Sequence, residues 1–170
     1  GLGDVYKRQM INRLHMAMIE LYSNDAKRIQ HFCKVHSYAK LIAETENVDK
    51  KCLFIIETAA LTHDIGIHFC EEKYGNCNGK LQEKEGPAIA EKLLGELGFD
   101  RNISERVQYL IAHHHTYGNI NEMDYQILVE ADFLVNIMEE GSSKEAVIKA
   151  YQNIFKTSCG KKICREMFGI

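Results

Sequence analysis

LFIIETAALTHDIG, residues 53–66, is the stretch whose reading decides the fold. Leu53, Phe54, Ile56, Ala59, Ala60 and Leu61 predict a helix, and its later part is apolar nearly all round, so it belongs in the centre of a core. The same stretch then turns polar at His63 and Asp64, beside Gly66. An apolar helix that stops at an imidazole and a carboxylate sets ionisable groups at the core's edge. Such groups need partners or a metal.

The flanking sequence continues the helical pattern. Met10, Ile11, Leu14, Met18 and Leu21 repeat at three and four residues and predict a short amphipathic helix. Ser23-Asn24-Asp25 offers an N-cap for a longer helix reaching about Thr45, with Ile29, Phe32, Cys33, Val35, Ala39, Ile42 and Ala43 inward. Residues 68–84 are polar, contain Gly75, Asn76, Asn78 and Gly79, and predict a loop. A helix is expected to open at Gly86-Pro87, because proline suits a first turn, and to stop at Gly98. Ile103, Val107, Leu110 and Ile111 mark another, ending at His113-His114-His115. After a second loop at 116–122, a helix carries Tyr125, Leu128, Val129, Asp132, Phe133 and Val135. Gly141-Ser142-Ser143 breaks it before a last apolar region from Ala146 to Phe155. No repeat or linker divides the pattern, so the reading is one all-α domain, a single-domain helical bundle.

Gly1–Gln9, GLGDVYKRQ, shows no clear helical period and reads as an adapter- or vector-like segment. The domain is therefore expected to span 10–170. A net charge of −3 over 170 residues argues against a partner that is a nucleic-acid polymer or an anionic membrane. The apolar runs look too short to span a bilayer, and no secretory signal is visible. The six cysteines include no CxxC pair, which fits free thiols and a cytoplasmic location. No Gly-rich phosphate loop with its lysine and no HExxH are present.

Seven of the eight histidines fall between His31 and His115. His31 sits mid-helix among Ile29, Phe32 and Val35, and Asp132 sits mid-helix between Ala131 and Phe133. Singly, each has an ordinary explanation: a hydrogen-bonded core histidine, a solvated aspartate, a capping imidazole. Together, two imidazoles and two carboxylates on separate buried segments suit Mn, Fe, Co, Ni or Zn with open positions for water.

Arg28-Ile-Gln-His31-Phe-Cys-Lys-Val35, then Ala59-Ala-Leu-Thr-His63-Asp64-Ile65-Gly66, then Glu130-Ala131-Asp132 resemble the H…HD…D pattern of the HD-domain superfamily of metal-dependent phosphohydrolases, over about residues 25–140. The resemblance implies a helical bundle with one divalent transition metal per chain, held by His31, His63, Asp64 and Asp132. It also implies hydrolysis of a phosphoester in a small phosphorylated molecule, a nucleotide or related compound, by a metal-activated water. Asp64 would orient or deprotonate that water. His68 and His115 are candidates for the acid, and Arg28, Lys80 and His114 for phosphate contacts. Binuclear relatives carry two more histidines. Gln82 stands where one would be, and His115 is the nearest match to the other, so Gln82 and Glu85 are expected just behind the metal. Two rivals remain: a non-catalytic metal or nucleotide sensor, and a di-iron oxygenase, which needs the missing histidine.

Overall fold

The computed structural model describes all 170 residues as nine helices with no strand, the all-α bundle expected: α1 (Leu2–Leu21), α2 (Ala26–Thr45), α3 (Lys50–Thr62), α4 (Ile67–Tyr74), α5 (Gly79–Glu96), α6 (Arg101–His113), α7 (Met123–Glu140), α8 (Lys144–Asn153) and α9 (Ser158–Phe168). α3 is the axis, touching α1, α2, α6 and α7. Its residues from Phe54 to Thr62 are almost all buried, because an all-round apolar helix has no face for water. Thr58 and Thr62 survive there by donating their hydroxyls to the carbonyls of Phe54 and Thr58, at 2.7 and 2.8 Å. Asp25, Asp49, Asn78, Ser143 and Thr157 cap α2, α3, α5, α8 and α9 with side-chain oxygens, each worth roughly 1 kcal/mol.

Four local expectations need correction. α1 begins at Leu2, not Met10; no side chain before Met10 is buried, so the first two turns extend the helix without an apolar stripe of their own. Residues 68–84 are not a loop. α4 occupies Ile67–Tyr74, ended by Gly75 at φ 78°, and α5 starts at Gly79, so Pro87 lies inside a helix rather than at its first turn. The polar composition that suggested a loop belongs to outward faces, while Ile67 and Cys70 turn inward. α9 lies beyond the last region expected from sequence; its buried residues are Gly160 and Cys164. Finally, Lys50–Tyr74 runs for 25 residues and its most apolar 18-residue window has a mean hydropathy of 1.2, which is long and apolar enough for a membrane span. It breaks between His63 and Gly66, and 67 % of its most apolar window is buried by the bundle, so it serves as the core.

The break between α3 and α4 is fixed by a close crossing. A Cβ on Gly66 would lie 3.2 Å from the Cα and N of Gly86, and one on Gly86 would lie 2.7 Å from Ile111 Cγ2. Backbone thus meets backbone where α5 passes the end of α3. Gly86→Ala is expected to cost about 1–3 kcal/mol through overpacking, lowering the melting midpoint by several degrees in a thermal scan. An unchanged midpoint would show that the crossing has slack.

A candidate metal centre

His63 and Asp64 form the turn leaving α3, tightened by bonds from the Ile65 and Ile67 amides to Thr62 and Asp64 carbonyls at 2.9 and 3.1 Å. The Tyr22 hydroxyl donates to the same Asp64 carbonyl at 2.6 Å, anchoring the turn to the end of α1. The turn aims both side chains at the middle of α2 and α7. There the structure brings together His31, His63, Asp64 and Asp132.

His31 Nε2 lies 3.2 Å from His63 Nε2, from Asp64 Oδ2 and from Asp132 Oδ1. His63 Nε2 lies 3.4 Å from Asp64 Oδ2 and 3.3 Å from Asp132 Oδ1. His31, His63 and Asp64 have ligand atoms all within 4.8 Å of one another, and Asp132 joins them through the two imidazoles. His63 is fully buried and donates Nδ1–H to the Ala60 carbonyl at 2.7 Å, which leaves Nε2 to face the centre. Burial resists protonation of His31, but Asp132 and Asp64 outweigh it and hold its pKa up at about 11. Burial likewise opposes ionisation of Asp64 and Asp132, but His63, with the other imidazoles, keeps both below the usual carboxylate range. This is a nest of opposed charges in a dry place.

The donor set fits a cation. Bonds of about 2.1 Å give ligand–ligand edges of roughly 3.0 Å in an octahedron and 3.4 Å in a tetrahedron, which brackets the observed spacings. Asp132 Oδ1 is buried without a hydrogen-bond partner, and so is His114 Nε2. Such orphaned atoms are uncommon and call for an explanation; a divalent cation gives one. His114 Nε2 is 3.5 Å from Asp64 Oδ1, and Asp64, His114 and His115 make a second donor set. Asp64 therefore turns one oxygen to each set.

Above the four residues opens a cavity of about 440 Å³, lined by Asp25, Lys27, Arg28, Ile67, Gln82, His115, Asn136, Glu139 and Glu140 besides His31, Asp64 and Asp132. Of the residues expected from sequence, Gln82 and His115 line it together, His115 Nε2 lying 3.2 Å from Gln82 Oε1. Burial and the neighbouring His114 push His115 down to about 4. Arg28 lines it too, but its guanidinium is committed to Asp25 at 3.0 Å and to both oxygens of Glu71 at 2.9 and 3.2 Å.

The remaining four fall differently. His114 is buried and faces Asp64 instead of the cavity mouth, so the fit to the ligand-side histidine is better for His114 than for a substrate contact. His68 is outside the lining; its Nε2 is 2.7 Å from Asp25 Oδ2 and its ring lies tilted against Tyr22, centroids 4.1 Å apart, so it reaches the cavity only through Asp25. Lys80 is exposed and outside the cavity. Glu85 is not behind the metal: it accepts from the Tyr74 hydroxyl at 2.5 Å and lines a separate groove with Tyr22 and Phe69. Starting α5 seven residues late misjudged which face Glu85 occupies, and Glu83 is the acid that reaches the site, accepting from the His115 amide at 3.1 Å. Sequence reasoning also missed Lys27 and Glu139, which no motif marked.

A helical bundle that gathers His, His-Asp and Asp from three helices about one point defines the HD class of metal-binding domain. The HD domain matches residues 28–154, and the chain belongs to that family. No curated protein matches it in sequence. Among solved structures it resembles an HD superfamily hydrolase from an uncultured Thermotogales bacterium (24 % identity, 99 % of this chain and 91 % of that one, TM-score 0.65). It also resembles Bacillus subtilis YpgQ in two structures, both 16 % identical over 96 % of this chain. The selenomethionine form is matched over 88 % of its length with a TM-score of 0.69, and the other over 91 % with a TM-score of 0.63. At these identities the likeness speaks to the fold.

Proposed function

We propose that the chain is a divalent-cation-dependent phosphohydrolase cleaving a phosphoester of a small phosphorylated molecule, a nucleotide first among the candidates. The observation that carries the reading is the convergence of His31, His63, Asp64 and Asp132, with Asp132 Oδ1 making no hydrogen bond, beside a polar cavity that His31, Asp64 and Asp132 line. These four residues would hold one cation of the Mn, Fe, Co, Ni or Zn group. Bound there, the cation supplies Lewis-acid polarisation of a phosphoryl oxygen and a lowered pKa for water.

The chain's own residues supply the rest. Asp64 Oδ1, turned away from His31 and His63, is placed to accept a proton from an attacking water. His115, which burial holds neutral, is placed to turn its Nε2–H, now given to Gln82, to the leaving oxygen as a hydrogen bond. Lys27 is the cavity's one basic side chain without an acidic partner, since Arg28 is bound to Asp25 and Glu71, so its Nζ is free for a phosphate oxygen. We assign the reaction to the cytoplasm, with neither a nucleic-acid polymer nor a membrane as partner.

The test is to purify the chain without chelator, count metals, and assay Mn²⁺, Co²⁺ and Ni²⁺ forms against nucleoside mono-, di- and triphosphates and an aryl phosphate. About one metal per chain with phosphate release supports the reading. Two per chain would load the Asp64–His114–His115 set and revive the di-iron alternative. Metal and tight nucleotide binding without turnover would replace the hydrolase with a sensor. Lys27→Ala should raise KM about tenfold with kcat nearly unchanged, the loss of one charged contact made in ground and transition state alike; an unchanged KM removes Lys27 from the substrate site.

A further inference from the structure

Three imidazoles face the centre, and they are oriented in two different ways. His63 and His114 donate Nδ1–H to carbonyls of their own turns, Ala60 and Ile111, both at 2.7 Å. That is possible because both residues lie at helix ends. His31 lies in the body of α2, where carbonyls are taken by the helix ladder. Its Nδ1 instead meets Glu139 Oε1 at 2.6 Å. Glu139 stands two turns beyond Asp132 on α7, and a seven-residue spacing puts both on one face. Its other oxygen, Oε2, lies 3.6 Å from Lys34 Nζ, one turn past His31 on α2. The Glu139 side chain is 21 % exposed and lines the cavity.

We infer that Glu139 is the positioning residue of the metal centre: by accepting the Nδ1 proton of His31 it fixes the tautomer and ring orientation that offer Nε2 to a cation. The role rests on the metal-dependent reading above. Carboxylates behind ligating histidines orient the ring and raise its basicity, and losing one costs about 10–100-fold in metal affinity. Of the three histidines, His31 alone has a charged acceptor, and that acceptor comes from another helix. α7 thus contributes twice, with Asp132 at the centre and Glu139 behind its opposite ligand. The separation of α2 from α7 becomes a determinant of how well the centre binds.

The test is calorimetric titration of the metal-free full chain with Co²⁺, comparing wild type with Glu139→Ala, Glu139→Gln and Glu140→Gln. Glu140 lines the same cavity but holds no histidine, so it reports the general loss of one negative charge. Circular dichroism at the titration temperature confirms that each variant is folded. Glu139→Ala is expected to bind Co²⁺ about 10–100-fold more weakly, Glu139→Gln, which keeps an acceptor oxygen, to recover part of the loss, and Glu140→Gln to stay within about twofold of wild type. Wild-type affinity in Glu139→Ala overturns the role. Equal weakening in Glu139→Gln and Glu140→Gln overturns it too, since a diffuse field would then account for the effect. If the wild-type chain binds no Co²⁺, the metal reading itself fails and takes the role of Glu139 with it.

Discussion

Asp64→Ala is expected to lower cation-dependent phosphate release by about 10³-fold or more, because it removes a ligand and a proton acceptor at once. Asp64 is the one side chain shared by both donor sets, with Oδ2 toward His31 and His63 and Oδ1 toward His114. No neighbouring carboxylate can take its place: Glu83 and Glu139 are occupied with His115 and His31. The fold should survive, since what ties this turn to α1 is the Asp64 carbonyl receiving the Tyr22 hydroxyl, and alanine keeps that carbonyl. The measurement is phosphate release beside a circular-dichroism melt. A variant that melts like wild type and retains activity would remove Asp64 from the reaction. A variant that fails to fold is separated by the melt, and Asp64→Asn, which keeps the shape, then carries the comparison.

The largest loss of stability is expected from Glu130→Ala. Glu130 is fully buried on α7, two residues before Asp132, and a two-residue step turns it to the opposite side of the helix. There its Oε2 accepts from the Lys156 and Thr157 amides at 2.9 and 3.0 Å and from Gln126 Nε2 at 2.6 Å, while Oε1 accepts from the Thr157 hydroxyl at 2.7 Å. A buried carboxylate is tolerable only with such a set. It ties the start of α9 to α7, and the fit is close: a Cβ on Gly160 would fall 1.9 Å from Glu130 Oε1. Alanine strands the four donors and opens a void, at a cost of about 3–4 kcal/mol, or roughly 10 °C in the melting midpoint. Glutamine would not restore it, because its amide nitrogen would face donors. A midpoint within 2–3 °C of wild type would mean that water replaces the carboxylate and that α9 is only loosely held.

What the sequence disclosed, and what it hid, follows from where each signal resides. His31, His63, Asp64 and Asp132 could be read because each is a polar residue set in an apolar helical pattern, where chance rarely leaves it. Glu139 was invisible for the opposite reason: it ends α7 in Met-Glu-Glu, which reads as a solvated helix end. Its partner lies 108 positions away, and only the packing of α2 on α7 joins them. Glu130 appeared only as a flank of the Asp132 motif, since hydrogen bonding to α9 leaves no local trace. The region from 68 to 84 reads as a loop because α4 is only eight residues long and turns just Ile67 and Cys70 inward, too few to show a helical period. That one error carried over to Glu85 and Lys80, whose assigned positions depended on where α5 begins. His114 and His115 were distinguishable only once the helix end was in place, since the turn after α6 sends one ring to Asp64 and the other to Gln82.

The central claim is that His31, His63, Asp64 and Asp132 hold a cation, and the most direct measurement is anomalous diffraction at the cobalt edge from crystals grown with Co²⁺. The account predicts a strong peak within bonding distance of His31 Nε2, His63 Nε2, Asp64 Oδ2 and Asp132 Oδ1. A cobalt-saturated crystal with no peak there, or with a peak elsewhere in the bundle, would contradict it.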